Sequence, residues 1–208
     1  MGTSVEMGAA EDGRYEQWAR RSGPPDNEVP VVVPVSAVLG RGDGVAVVLA
    51  GVAAASNSFS LTIGVQLRQQ PEDDDLPRQV TASGPVQGHL LLGLEDADGR
   101  RVSTVQHAGW PPQVEDTTLT MTGRGGGGGG RIYDQEYWVS PLPADGPLRV
   151  VVRWDARGVP ETVTEVDGAA VAAAGRGAVE LWPWEAAVEP DHEEDRGRRP
   201  TDGWFSQP

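Results

Sequence analysis

Residues 58–68 alternate apolar and polar side chains more regularly than any other stretch of this chain. The odd positions carry the large apolar side chains Phe59, Leu61, Ile63, Val65 and Leu67. The even positions carry serine, threonine, glutamine and arginine, with a glycine at position 64. A period of two with one polar face is typical of a strand in an antiparallel sheet whose other face is buried. The segment therefore predicts a half-buried β-strand.

Other short segments also have strand character, and turn residues separate them about every ten positions. Pro30 and Pro34 confine the first of them to the edge of a sheet, whereas residues 45–53 are expected to be buried on both faces. One helical turn is expected at residues 169–174, after the capping residue Asp167 and before Gly175. The pattern predicts an all-β fold, an antiparallel two-sheet β-sandwich of about eight to ten strands, with a barrel as the alternative. The strand segments are residues 29–38, 45–53, 58–68, 89–95, 101–105, 117–122, 132–139, 148–154, 159–166 and 178–182.

The residues that build a core are concentrated in the middle of the chain. Leu, Ile, Val and Phe together number 41 between positions 29 and 182 and only three in the two flanks. A segment with so few apolar side chains cannot bury enough surface to become ordered by itself. We therefore expect one β-sandwich domain at residues 29–182, a flexible N-terminal segment at 1–28 and a flexible acidic tail at 183–208.

The charge composition excludes several classes of chemistry. The chain has 31 acidic and 17 basic residues, a net charge of −14, and it contains neither cysteine nor lysine. Thiolate and Schiff-base chemistry, disulfides and the lysine of a phosphate-binding loop are thus absent. The acidic balance argues against binding to nucleic acid or to anionic membrane surfaces. With no secretion signal and no apolar run long enough to span a bilayer, a cytoplasmic location is expected.

Five segments resemble a group of uncharacterised cytoplasmic proteins of high-GC Gram-positive bacteria. They are residues 39–49 (Leu-Gly-Arg-Gly-Asp-Gly-Val-Ala-Val-Val-Leu), the hairpin around residues 98–100, the glycine run, and residues 137–143 (Tyr-Trp-Val-Ser-Pro-Leu-Pro) together with 148–154. The preference for Gly, Ala, Arg and Pro over Lys, Asn, Ile and Phe is also typical of a high-GC genome. The resemblance covers about residues 30–182 and implies the same domain limits, but it implies no activity, cofactor or partner.

The segment between Arg124 and Arg131 consists of six consecutive glycines. Successive glycine amides can form an anion-binding nest, and the two flanking arginines would support an anion there. Six glycines also lose maximal entropy on ordering, and no helix follows as a phosphate-binding loop requires. The sequence favours a flexible loop between two strands, with anion binding as the alternative.

Several acidic residues and one histidine are candidates for metal binding or catalysis, but each has a simpler structural explanation. Glu95, Asp96 and Asp98 could hold calcium, but an Asp-Gly hairpin turn accounts for the same residues. Asp134 and Glu136 lie two residues apart on one face of a strand, as paired carboxylates would, although any polar-faced strand does the same. His107 lacks the surrounding motif of a hydrolase nucleophile. We therefore predict no catalytic, metal or cofactor-binding residue.

Seven of the twelve aromatic residues are tryptophan, and their contexts differ. Trp138, Trp154 and Trp182 lie in predicted strands, so we expect them in the core. The expected contact residues are the tryptophans beside prolines or in the tail and the arginines that flank the glycine run: Trp110, Trp184, Trp204, Arg124 and Arg131. These features favour a non-enzymatic acidic cytosolic module that binds a partner protein. The alternatives are a β-sandwich that binds a sugar or an anion, and an enzyme of unrecognised type.

Overall fold

The computed structural model describes residues 24–70, 76–81, 88–105 and 117–183, which form an all-β fold with antiparallel sheets. Besides the strands there are two short helices and one 3₁₀ turn (Asp155–Arg157) in these residues. The elements in chain order are β1 (Glu28–Val29), β2 (Val31–Val33), β3 (Ala37–Gly42), β4 (Val45–Ala55), β5 (Ser58–Leu67), α1 (Leu76–Thr81), β6 (Leu91–Glu95), β7 (Arg101–Ser103), β8 (Thr120–Gly129), β9 (Ile132–Ser140), β10 (Pro147–Trp154), β11 (Val159–Asp167), α2 (Gly168–Arg176) and β12 (Val179–Glu180).

Two sheets form the predicted sandwich. The larger has the strand order β2-β4-β5-β9-β8, and β3 also pairs with β4. The smaller has the order β11-β10-β6-β7, while β1 and β12 form a separate two-stranded pair. The sheets share a single hydrophobic core, to which β4, β5 and β9 contribute from one side and β6, β10 and β11 from the other. Close to β3, the two sheets are joined by a hydrogen bond of 2.6 Å from Thr162 Oγ1 to the carbonyl of Leu39.

Strand β5 has the alternation that its sequence predicts. Its odd-numbered side chains from Phe59 to Leu67 are all buried, whereas Ser60 and Thr62 are half-buried and Gln66 is exposed. Strand β4 differs from the expectation of burial on both faces. Val45, Val47 and Leu49 are buried, but the residues between them are only half-buried, because this strand alternates as β5 does.

The helices differ from the sequence expectation in extent and number. Asp167 caps α2 as predicted, accepting a hydrogen bond of 3.0 Å from the amide of Ala170. The helix nevertheless continues through Gly175, which is buried against the carbonyl of Ala55 where a larger residue would not fit. Helix α1 lies between the predicted strand segments 58–68 and 89–95, where the sequence analysis expects no helix. Its residues Leu76 and Val80 are buried in the core.

Two of the three tryptophans expected in the core are buried. Trp154 is fully buried, and its indole Nε1 donates to the carbonyl of Gly88 at 2.7 Å. Trp138 is 2% exposed. Trp182 is 56% exposed, so the expectation was wrong for this residue. It follows the short strand β12 at the margin of the fold, where no sheet covers it.

The flanking segments were expected to be flexible at residues 1–28 and 183–208. The described part of the chain begins at residue 24 and ends at residue 183, so most of both segments lies outside it. Their flexibility and the domain limits stay predictions. The acidic residues at positions 72–75 lie outside the described residues as well.

Replacing Ile63 by alanine tests the half-buried character of β5. Ile63 is fully buried in the core, so Ile63→Ala should lower the free energy of unfolding by about 2–5 kcal/mol through lost burial and the resulting cavity. Thr62 is half-buried on the opposite face, and Thr62→Ala should cost far less. Urea denaturation of both variants makes the comparison. Equal losses would contradict the assignment of the two faces.

Candidate protein-interaction site

The glycine run forms a strand, which differs from the flexible loop that the sequence favoured. Strand β8 extends through five of the six glycines and pairs with β9 in an antiparallel ladder. Gly130 and Arg131 form the two-residue turn between these strands, and Gly130 has φ +63°. A type II′ hairpin turn requires a positive φ at its first central position, which glycine adopts without strain. The run is thus one arm of a hairpin.

Strand β8 lies at the edge of the larger sheet, and its outer side is exposed. No strand among the described residues pairs with that side. Each residue of β8 from Thr122 to Gly129 is exposed to solvent. An unpaired edge presents a row of backbone donors and acceptors to which another chain can add a strand. The edge of β8 is therefore the candidate interaction site.

The hydrogen bonding of β9 identifies which residues of β8 direct their backbone groups outward. The amide of Leu67 donates to the carbonyl of Arg131, which places the odd-numbered residues of β9 in hydrogen bonds with β5. Because antiparallel pairing alternates, the even-numbered residues of β9 direct their backbone groups toward β8. The residues of β8 that lie opposite odd-numbered residues of β9 consequently face away from the sheet. They are Met121, Gly123, Gly126 and Gly128.

Side chains of β9 occupy the space beside the glycines on the inner face of the sheet. A Cβ atom on Gly126 would lie 2.6 Å from the hydroxyl of Tyr133 and would also collide with Gln135 Oε1. Gln135 is buried, and its Nε2 donates to the carbonyls of Glu136 (2.9 Å) and Arg124 (3.3 Å). The second of these bonds spans the β-bulge between Gly123 and Gly126. Glycine is needed at Gly126 because the neighbouring strand fills its side-chain position.

The two arginines that flank the glycine run are separated by the strand. Arg124 lies in the bulge and Arg131 in the turn, and both are exposed. A nest requires successive amides that converge on one point, whereas amides along an extended strand alternate in direction. The geometry therefore does not support the anion-binding alternative. Both arginines remain predicted contact residues beside the exposed edge.

The hairpin between β6 and β7 uses the acidic residues that could have bound calcium. The carboxylate of Asp96 is buried and accepts hydrogen bonds from the amides of Asp98 (3.2 Å), Arg100 (3.0 Å) and Ala144 (3.3 Å). It also pairs with the guanidinium of Arg100. These donors occupy both oxygens, so the carboxylate holds the turn together. No group of three or more potential metal ligands occurs in the described ranges.

Carboxylates on the outer faces of the two sheets differ in their partners. On the smaller sheet, Glu95 pairs with Arg101 and Arg149, and Arg149 also reaches Glu165. Hydrogen bonds from Arg149 and then Arg101 hold the pKa of Glu95 below its usual value. On the larger sheet, Asp134 and Glu136 share the outer face of β9, as their spacing predicts. Neither forms an ion pair with a described residue.

A second exposed surface is apolar and lies around the β1–β12 pair. Val29 and Val179 face each other across this pair and are about half exposed, as are Leu181 and Trp182. Sequence reasoning missed this surface because Trp182 was assigned to a core strand. Only the short length of the final apolar segment could have indicated a marginal position.

Several residues singled out in the sequence lie outside the described residues. These are the predicted contact residues Trp110, Trp184 and Trp204, and the candidate His107. Their roles stay predictions, as does binding of a sugar near Trp110.

Comparisons with protein-family models, with curated proteins and with solved structures find no match for this chain. Neither of the helices in the described ranges is long and apolar enough to cross a membrane.

The packing beside Gly126 can be tested with two neighbouring substitutions. Gly126→Ala should lower the free energy of unfolding by about 1–3 kcal/mol, because the added methyl displaces Tyr133 and Gln135. Gly127→Ala is the matched control, since a Cβ there would meet no atom within 4 Å. It should be neutral or slightly stabilising. A flexible loop would tolerate both changes equally, and thermal melting distinguishes the two results.

Tyr137 gives a pH-dependent test of the packing next to β8. Burial, with a smaller effect from Tyr133, raises the pKa of Tyr137 to about 12, and its hydroxyl donates to the carbonyl of Val80 at 3.1 Å. The unfolded chain loses this proton near pH 10, so the stabilisation is present below pH 10 and is lost as the pH rises toward 12. The expected fall in the free energy of unfolding is on the order of 2 kcal/mol.

The control for this titration is Tyr137→Phe, which removes the ionisable group and keeps the ring. Urea unfolding at several pH values between 9 and 12 should show a smaller fall for this variant than for the unchanged chain. Parallel curves would show that Tyr137 does not titrate differently in the folded and unfolded states.

Proposed function

We propose that this chain is a non-enzymatic protein-interaction module that binds an extended segment of a partner protein along strand β8. The observation that carries the proposal is the exposed outer edge of β8, where four residues direct their backbone groups away from the sheet. Addition of a strand to an exposed edge is a recurring mode of peptide recognition, in which main-chain hydrogen bonds provide the affinity.

The other sheet edges in the described part of the chain are less accessible to an added strand than β8 is. Strand β2 has three residues and lies between Pro30 and Pro34, and β7 also has three. Strand β11 is longer, but Thr162 ties it to β3 of the other sheet. Short strands, prolines and covered edges are the usual protections against unwanted pairing. Strand β8 has ten residues and no proline, and no described strand covers its outer side; a β-bulge and Arg124 interrupt it only near its middle.

The glycines favour close approach by another backbone. The glycines of β8 carry no side chain of their own that would obstruct a neighbouring strand, and glycine often marks places where a second backbone comes close. The glycines lose their conformational entropy when the β8–β9 hairpin folds, so binding of a partner does not have to order them again. A partner segment would therefore meet a strand that is already formed, which lowers the cost of binding.

A second copy of this chain fits the edge less well than a different protein does. Pairing β8 with β8 of another copy would bring together two chains of net charge −14. Such repulsion keeps like molecules apart. We therefore assign the edge to a partner of different composition.

The proposal is tested by placing a proline at Gly123. The amide of Gly123 faces outward, and a Cβ there would make only ordinary contacts, at 3.7 Å to Gln135 Nε2 and 3.9 Å to Tyr137. Gly123→Pro removes one outward donor and places a ring on the free side, while the β8–β9 ladder stays intact. Gly123→Ala adds the Cβ without blocking the edge and is the matched control.

The probes are three eight-residue peptides with threonine at alternate positions and arginine, serine or glutamate at the others. We expect at least one peptide to bind the full chain, with Gly123→Pro weakening it about tenfold, or 1.4 kcal/mol, and Gly123→Ala having little effect. Amide exchange at Gly123, Gly126 and Gly128 should slow in the complex. The proposal fails if no peptide binds at millimolar concentration or if the proline variant binds as well as the unchanged chain.

A further inference from the structure

We infer that the exposed apolar surface around the β1–β12 pair binds a segment of the same chain, residues 14–21, through Tyr15 and Trp18. Residues 14–21 lie outside the described residues, and only two residues separate them from Pro24, where the described chain begins. This contact does not depend on strand addition at β8.

The β1–β12 surface is a contiguous group of apolar side chains that are each about half exposed. Val29 and Val179 lie directly opposite each other across the pair. Leu181 continues the pairing, since its amide donates to the carbonyl of Asn27 at 2.8 Å, and Trp182 follows it. Single exposed apolar residues are ordinary on protein surfaces, whereas a contiguous group marks a place where another segment binds.

Hydrogen bonds to the rest of the fold hold this surface in place. Asn27 Nδ2 donates to the carbonyl of Trp182 at 2.9 Å. The carboxylate of Glu28 accepts from the amide (2.8 Å) and the hydroxyl (2.5 Å) of Ser56, in the turn between β4 and β5. A pair of strands with two residues each would otherwise be marginal. The surface is thus formed before a segment binds, which lowers the cost of binding.

The N-terminal segment is attached directly beside this surface. Asn27, which is bonded to residues 181 and 182, lies three residues after Pro24. Trp18 precedes Pro24 by six residues, and an extended chain of that length spans roughly 20 Å. Residues 179–182 extend over roughly 10 Å, so Trp18 can reach every part of the surface. A short tether gives a millimolar effective concentration, at which weak contacts suffice.

The sequence of the segment fits an apolar surface of this size. Tyr15 and Trp18 are three residues apart and would share one face of a helix. Eight residues of helix are roughly 12 Å long, which is similar to the length of the surface. Pro24 and Pro25 would prevent such a helix from continuing into β1. A helix this short is not stable alone, so its order would come from the surface.

Charge distinguishes this segment from the other end of the chain. Residues 14–21 contain three arginines and one glutamate, whereas residues 184–208 contain seven acidic residues and three arginines. Asp26 and Glu180 are exposed beside the apolar surface, and like charges brought together there disfavour the C-terminal segment. A second copy would bring its whole net charge of −14 to the same place.

The test follows trypsin cleavage after Arg20 and Arg21 in the folded full chain. Trp18→Ser removes the indole that is expected to bind, and Val179→Ser removes one apolar side chain of the surface. The matched control is Val163→Ser on β11, because Val163 is 58% exposed and Val179 is 57% exposed. Each rate is divided by that of a free peptide of residues 11–23, which carries Trp18→Ser where the chain does. Thermal melting checks that each variant is folded.

Because cleavage of a segment that opens rapidly follows its open population, the unchanged chain should be cut about tenfold more slowly than the free peptide. Trp18→Ser should remove most of this protection. Val179→Ser should speed cleavage about threefold, since only part of a valine's burial is lost, and Val163→Ser should leave the rate unchanged. The inference is overturned if Trp18→Ser is cut no faster than the unchanged chain, or if the two valine variants respond equally.

Nuclear Overhauser effects identify the bound segment directly. In the full chain, the indole protons of Trp18 should show them to the methyl groups of Val179 or Leu181. The same effects from Trp184 or Trp204 would assign the surface to the C-terminal segment and overturn the inference. A dimer in sedimentation equilibrium that Val179→Ser dissociates would assign the surface to a second copy, with the same consequence.

Discussion

The pairing of β9 on both sides is the constraint on which the rest of the structure depends. Its odd-numbered residues bond to β5, and its even-numbered residues bond to β8. The same alternation directs Tyr133, Gln135 and Tyr137 into the molecule and Asp134 and Glu136 out of it. A shift of one residue in this register would exchange the two sets. The core, the glycine edge and the unpaired carboxylates are therefore consequences of one ladder.

Glycine has a poor intrinsic preference for strands, and the hairpin overcomes it through tertiary contacts. Gly126 and Gly128 lie so close to β9 that any Cβ would collide with it. Tyr133 fills the space that their missing side chains leave, and aromatic side chains are known to stabilise edge glycines in this way. Gln135 adds a hydrogen bond to the bulge at Arg124. The ordering of the run thus depends on the side chains of β9 and not on the glycines themselves.

Sequence reasoning predicted the elements that local patterns determine. It failed where contacts with a neighbouring strand determine the conformation. The alternation of β5, the hairpin at Asp96 and the cap at Asp167 follow from period and turn chemistry, and the structure has all three. The glycine run was misassigned because its strand conformation depends on residues of β9 that propensity does not include. Trp182 was misplaced because its apolar segment lies beyond the sheets, and α1 was missed because six residues hold too little periodicity. The unpaired state of Asp134 and Glu136 depends on which arginines lie nearby, which no local pattern encodes.

An exposed edge of ten residues is a hazard for most proteins, because it invites pairing between identical copies. Three properties of this chain reduce that hazard. Glycine adds no apolar side chains with which sheets could stack, unlike the segments that form steric zippers. The charge of −14 repels a second copy, and the carboxylates beside the edge oppose the same carboxylates in that copy. In the proposed strand addition, the charge that repels a second copy would attract a segment of opposite charge.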